Sequence, residues 1–274
     1  MSNITAADVN KLRKSTGAGI MDCKKALVEA NGDFNLAIEN LRKKGQKIAA
    51  KRADRESSEG AVIARVNSEY NSGVIISLNC ETDFVAKNES FVSLAVRIAE
   101  LSLEVNNKEE LLKSEFESMT VHEKLIEQTG VIGEKLEIGS FEKINSSYVG
   151  SYIHAGNKIA TIVGLSNKFD NSIDVAKNLC MQAAAMNPVA LNEDGVSKEV
   201  IEKEIEIAKE QLRSEGKPEE MLENIAKGKL KKFFKENTLI NQAFIKDNKI
   251  SVNDYIKSVN SECSITDFKR VSLV

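Results

Sequence analysis

Side chains able to do chemistry are few in this chain, and their spacing argues against a reaction centre. Histidine occurs twice, at His122 and His154. His122 falls in a charged helical stretch and reads as exposed and inert. His154 closes a strand at "HAGNK", with no acid or cysteine beside it, so it reads as a contact residue rather than a base. No G-x-S-x-G, H-E-x-x-H or G-x-x-x-x-G-K-[ST] pattern occurs, which removes the usual nucleophile, zinc and phosphate-loop signatures. Thr16-Gly17-Ala18-Gly19 has the composition of a phosphate loop but lacks the strand such loops follow, and it reads as a joint between helices. Carboxylates are plentiful, yet they lie in Glu-rich solvated helices rather than in apolar settings that would raise a pKa. Cys23, Cys80, Cys180 and Cys263 are scattered without C-x-x-C spacing. That pattern predicts reduced thiols in a cytoplasmic chain, with no disulfide framework and no metal site. One stretch is left: Glu81-Thr82-Asp83-Phe84-Val85, an acid and an aromatic where an apolar strand gives way to a helix. Judged by composition, Phe84 belongs in the core.

The elements that must position this corner follow from periodicity. Residues 1–45 predict three short helices: Ala6–Ser15 with Val9 and Leu12 on one face, Met21–Ala30, and a third lined by Phe34, Ala37, Ile38 and Leu41 with Asp33 as its cap. The run "RKKGQKIAAKRADRESSEG" that follows is basic and reads as a solvated helix extension and linker. From Gly60 the period switches to alternation, predicting a hairpin from Ala61–Val66 and Val74–Leu78. Phe91, Leu94, Ala95, Ile98 and Leu101 mark a helix capped by Asn88. Helical segments at Lys108–Ser118 and Val121–Lys135 come next, then strands at Glu137–Ile144, Tyr148–His154 and Lys158–Leu165. The order strand, strand, Asp, Ala-rich helix occurs once around residues 60–102 and again around 150–186, so two α+β subdomains of similar plan are expected. Ile201, Ile205, Ala208 and Leu212 form a heptad-like seam, Gly216-Lys217-Pro218 interrupts it, and Leu222, Ile225, Ala226 and Phe233 line a second helix. Such a narrow seam among Glu and Lys suits a projecting αα-hairpin. "TLINQAFI" returns to strand character, followed by the helix Val252–Val259 and a strand-like end.

The expected architecture is therefore α+β. Its units are residues 1–55, with the basic linker, 56–145 as one core subdomain, 146–197 with 236–274 as the other, and 198–235 as an inserted helical hairpin. With 274 residues the chain suits two or three domains. Its net charge of −3 and pI of 5.7 are no match for nucleic acid or an anionic membrane. Aromatic residues at 5% and the absence of Trp argue against stacking on single strands. No apolar run of about 18 residues occurs, and the first residues lack the apolar centre of a secretory signal.

Specific motifs add a family to this reading. "VNKLRKSTGAGIMDCKKALVEANGDFNLAIENLRKKG" (9–45) is similar to the N-terminal domain of the elongation factor Ts family, meeting its pattern V-x-x-L-R-x-x-T-G-A-G-x-M-D-C-K-x-A-L throughout. Thr82–Lys87 supplies the family's T-D-F-V-A-[KR]. "GSYIHAGNKIATIV" (150–163) and "GKPEEMLENIAKGKLKKFF" (216–234) resemble its later core and hairpin. The resemblance implies a ubiquitin-associated-like (UBA-like) three-helix domain, a two-subdomain core with antiparallel sheets and a coiled-coil hairpin. It implies a guanine nucleotide exchange factor for elongation factor Tu, with no covalent chemistry and no cofactor of its own. On that resemblance Thr82, Asp83, Phe84 and Val85 disturb the partner's Mg2+ site, with Phe84 as wedge. Leu12, Arg13, Gly17, Ala18, Gly19, Ile20 and Met21 present the N-terminal domain to the same partner, and His154 contacts its other domains. Some members carry a further C-terminal helical module that is not seen here, and Thr266-Asp267-Phe268 lacks the Val-Ala-Lys continuation and reads as core or coincidence. Two rivals stay open: a UBA-like binding module without exchange activity, and an RNA binder using residues 42–55, which the acidic pI disfavours. A one-to-one complex, a homodimer and a dimer of partner complexes are all compatible with the hairpin.

Overall fold

Helix starts and stops are written locally in the N-terminal third. The computed structural model describes residues 4–274, so the first three residues of the expected 1–55 unit lie outside it. Thr5 and Asp8 form a reciprocal capping box that opens α1 (Ala6–Thr16), and Gly17 ends it at φ 71°, a left-handed angle that costs glycine little. α2 (Ile20–Glu29) starts directly after Gly19. Asp33 accepts from the backbone N–H groups of Asn35 and Leu36 and so opens α3 (Phe34–Arg52). Val9, Leu12, Cys23, Leu27 and Ala37 close a small core among the three helices. α3 then runs on through the basic stretch, so the expected helix extension covers residues 42–52 and the linker is confined to 53–58. The reason is packing that charge does not reveal: Gly45 is buried, and a Cβ on Gly130 would lie 2.5 Å from its Cα. Two helices touch backbone to backbone there.

The first sheet is built from β1 (Glu59–Val66), β2 (Ser72–Cys80) and, further on, β5 (Glu137–Asn145), in the order β1-β2-β5 and antiparallel throughout. Between β2 and β5 come α4 (Asp83–Ala86), α5 (Glu89–Leu101), capped by Asn88, α6 (Lys108–Lys113), the two-residue strands β3 (Glu115–Phe116) and β4 (Met119–Thr120), and α7 (Val121–Ile132). The expected helix Lys108–Ser118 therefore stops at Lys113. Phe116 is buried with the Arg97 guanidinium over its ring at 4.6 Å, and Glu117 takes a positive φ of 62° to make the turn, so a tight hairpin replaces the last helical turn. α7 likewise ends three residues earlier than its periodicity suggested, at Gly133.

The second sheet has the order β10-β7-β6, from β6 (Tyr148–Ile153), β7 (Ile159–Leu165) and the last strand, β10 (Ile265–Ser272). Between β7 and β10 lie α8 (Ser172–Met186), α9 (Lys198–Ser214), α10 (Glu219–Asn237), β8 (Ala243–Phe244), β9 (Asp247–Ser251) and α11 (Val252–Val259). The expected strand 238–245 is reduced to Ala243–Phe244. Thr238 and Leu239 are buried, with the Thr238 hydroxyl donating to the Phe234 carbonyl and Leu239 N–H to Ala190, so this segment is a buried turn at the foot of α10. α9 and α10 pack mainly on each other, burying Ala208, Leu212, Leu222 and Ala226. Arg213 pairs with Glu219 at 2.6 Å across their tip.

Four layers result. Ala61, Ile63, Ile76 and Leu78 face α5 and α7. Val62, Ala64 and Ile75 point the other way, against Ala160 and Ile162 of the second sheet. Val163 and Leu165 face α8 and α11. Strands buried on both faces read as unbroken apolar runs, which is why "AVIA" and "VIIS" show little alternation. The fold is α+β with antiparallel sheets, and among the described residues no helix is long and apolar enough to cross a membrane.

Candidate functional site

The corner after β2 is built from three consecutive roles. Thr82 has extended backbone, φ −124° and ψ 154°, and its hydroxyl caps α4 by accepting from Val85 N–H at 3.4 Å. Asp83 opens the single turn and is held by Lys87 at 2.6 Å. That hydrogen bond keeps the Asp83 carboxyl below the usual carboxylate range and lifts Lys87 above the usual amine range. Phe84 stands out from the turn with 82% of its surface exposed. Val85 and buried Ala86 pack back on the first core. Composition placed Phe84 in the core, and the structure corrects that. The next two residues of the turn already fill the corner, leaving the ring outside.

The corner is tied down from two sides. Glu81 accepts from Arg52 Nη1 with both carboxylate oxygens, at 2.7 and 2.8 Å, and from the Lys135 backbone N–H at 2.6 Å. Burial raises the Glu81 pKa, but the Lys135 N–H and Arg52 outweigh it and the net shift is downward. Glu134, just past the end of α7, accepts the backbone N–H groups of Glu81 and Thr82 at 3.1 and 3.0 Å and the Thr82 hydroxyl at 2.6 Å. Beneath it, Cys80 donates to the Thr82 carbonyl at 3.2 Å, and burial pushes its thiol up to about 12.

The joint between α1 and α2 makes a second exposed face. Ile20 is 51% and Met21 74% exposed, and Arg13 is exposed nearby. Leu12 and Ala18 are buried. Both side chains support the joint from beneath. A Cβ on Gly17 would lie 3.8 Å from Val131 Cγ1, so the joint adjoins the last turn of α7, whose end also holds the corner through Glu134. His154 is exposed at the close of β6, with the Tyr152 hydroxyl 3.0 Å from its Nδ1. In the same β6–β7 turn, Asn157 accepts from Val62 N–H at 2.7 Å, and Lys158 pairs with Glu59, which faces Cys80 in the ladder. His154 thus belongs to a turn abutting the strand pair that carries the corner. The second T-D-F lies in β10, with Phe268 packed against the second core. Among the described residues no group of three or more His, Cys, Asp or Glu is placed to hold a metal ion.

Arg52 and Glu134 are the residues that sequence reasoning missed. Both act over long separations, and neither has a local signal. The Asp83–Lys87 pair was missed as well, although its i,i+4 spacing is a local signal that could have found it.

As a class, this is an α+β protein that presents apolar side chains on hydrogen-bonded corners outside its sheets. The profile of one family, Elongation factor TS, matches residues 81–273. Proteins named Elongation factor Ts from Flavobacterium psychrophilum and Christiangramia forsetii are each 64% identical over 273 residues, covering 100% of both chains. One from Amoebophilus asiaticus is 51% identical over 271 residues, with 98% of each chain covered. The chain belongs to the elongation factor Ts family.

Proposed function

We propose that this protein is the guanine nucleotide exchange factor for elongation factor Tu in translation elongation, acting without covalent chemistry. The observation that carries the reading is Phe84, four-fifths exposed on a corner fixed by hydrogen bonds to two separate segments, the end of α3 and the residues after α7. A GTPase holds GDP through its phosphate loop and a Mg2+ ion bridging phosphate oxygens. An exchange factor must bind the nucleotide-free form more tightly than the GDP form, and by linkage GDP is weakened by the same ratio. Phe84 is the wedge that enters the partner, an aromatic anchor of the kind that dominates interfaces. Asp83, kept ionised by Lys87, meets polar groups near the metal, while Thr82 and Val85 fix the corner. Arg13, Ile20 and Met21 of the α1–α2 joint engage the same partner domain, and His154 engages another. In this reading residues 1–55 dock, 56–145 carry the wedge, 146–197 with 236–274 hold the second contact face, and the hairpin 198–235 projects as an insertion.

The test is stopped-flow release of fluorescent GDP from elongation factor Tu. The wild-type chain accelerates release, and Phe84→Ala reduces that acceleration by at least about tenfold, the size of a hot-spot loss. Because Phe84 is exposed, the same variant keeps its stability within about 0.5 kcal/mol. No acceleration by the wild-type chain overturns the reading. Stable complex formation without acceleration points instead to a binding module.

A further inference from the structure

α4 is four residues long, too short to hold its own direction by helix cooperativity. Something else must set where Phe84 points. Burial of Ala86 and partial burial of Val85 fix the far end of the turn. The near end depends on Thr82 keeping its extended, capping conformation, and the group that holds Thr82 is the Glu134 carboxylate. One oxygen accepts two successive backbone N–H groups, and the other accepts the Thr82 hydroxyl, whose own oxygen caps the turn. The exchange is reciprocal. The Glu81 carboxylate accepts the N–H of Lys135, the residue after Glu134, so two segments clasp each other by side chain and backbone in both directions. Hydrogen bonds to a carboxylate are roughly twice as strong as neutral ones, and two backbone donors lose their partner if it is removed.

We infer that Glu134 is a positioning residue for nucleotide exchange, setting the direction of the Phe84 corner from the end of α7. This inference rests on the exchange reading above. Glu134 itself touches neither nucleotide nor metal. It acts through Thr82 and Phe84, and its removal lets the corner sample directions that miss the partner.

The experiment measures two things on the full chain. The first is hydrogen exchange of the Glu81 and Thr82 amides, which needs no partner. Glu134→Ala speeds both amides at least about tenfold, and unchanged rates overturn the inference. The second is catalysed GDP release at saturating factor. Glu134→Ala lowers the maximal rate about tenfold, Phe84→Ala with Glu134→Ala is no slower than Phe84→Ala alone, and Glu134→Gln stays within about threefold of wild type because its amide oxygen still accepts both N–H groups. Effects that multiply in the double variant, or a Glu134→Ala chain as fast as wild type while Phe84→Ala is slow, overturn it. If Glu134→Ala does not fold, Glu134→Asp takes its place, keeping the charge on a shorter reach. Its expected loss is similar, and wild-type rates in it overturn the inference. If the wild-type chain fails to accelerate release, the exchange reading falls. The amide measurement then still decides whether Glu134 sets the corner.

Discussion

An exposed phenyl ring forgoes about 1.5–3 kcal/mol of burial free energy, and at Phe84 nothing in the fold returns it. The residue scale is where the sequence was most and least informative. The strand-to-helix corner, with its acid and aromatic side by side, was readable from spacing, whereas the Thr82 cap and the Asp83–Lys87 pair emerge from the structure. The outward direction of Phe84 was not, because an apolar residue after an apolar strand has the same signature whether it fills the corner or leaves it. What decides is the packing of Val85 and Ala86 together with Glu134, fifty positions away. The cysteines make the opposite case, since their scatter already suggested reduced, unpaired thiols. All four are buried. Burial pushes Cys80 and Cys180 up to about 12 and raises Cys23 as well. A thiol reagent at mildly alkaline pH is therefore expected to label none in the folded chain within minutes and all four in denaturant. Rapid native labelling would show a local opening at that cysteine. Disulfide pairing between two copies would require the same opening.

At the scale of elements, two glycines in helices give opposite expectations. Gly130 lies where α7 crosses α3, and a Cβ there meets the Gly45 backbone at 2.5 Å. Gly130→Ala is expected to cost about 1–3 kcal/mol by forcing the helices apart, read from urea unfolding, with faster amide exchange in α3. Gly228 sits inside α10, and a Cβ there meets nothing within 4 Å. Gly228→Ala is expected to stabilise α10 by about 0.5–1 kcal/mol through lost unfolded-state freedom. A destabilised Gly228→Ala chain would mean that α10 has a packing partner at that point. The same contrast explains what was legible. Caps and stops at Thr5, Asp33, Asn88 and Gly17 announce helix ends locally. The Glu115–Thr120 hairpin and the buried turn at Thr238 are each set by contacts with distant segments, which periodicity does not carry.

At the scale of the whole molecule, partly buried carboxylates tie together segments that are distant in sequence. Arg52–Glu81 joins the end of α3 to the corner after β2, and Arg97 and Lys124 converge on Glu117. Glu137 bonds Ser57 and Lys135. In all three carboxylates burial raises the pKa, but the hydrogen bonds and cations outweigh it and the net shift is downward. A folded pKa below the unfolded one gives stability that is present above the unfolded value and lost as pH falls through the folded one. The urea midpoint is thus expected to be flat from neutral pH to about 5 and to fall below about 4. Arg52→Ala should make that acid fall shallower. An unchanged profile in Arg52→Ala would mean that the Arg52–Glu81 link carries none of it. Fold class and element order at this scale were legible, because strands buried on both faces leave long apolar runs. The charged links were not, since they depend on single side chains meeting across the fold.

The placing of β10 has a consequence for how the chain is made. Every strand of the first sheet has been synthesised once Asn145 emerges, so its core can close while the rest is still being translated. The second sheet lacks one of its three strands until residues from Ile265 onward appear. At about 5–20 residues per second, that leaves an interval on the order of ten seconds. Through it, β7 has an unpaired edge and the apolar face of Val163 and Leu165 is incompletely covered. For that interval the nascent chain is half a folded protein and half a client for chaperones.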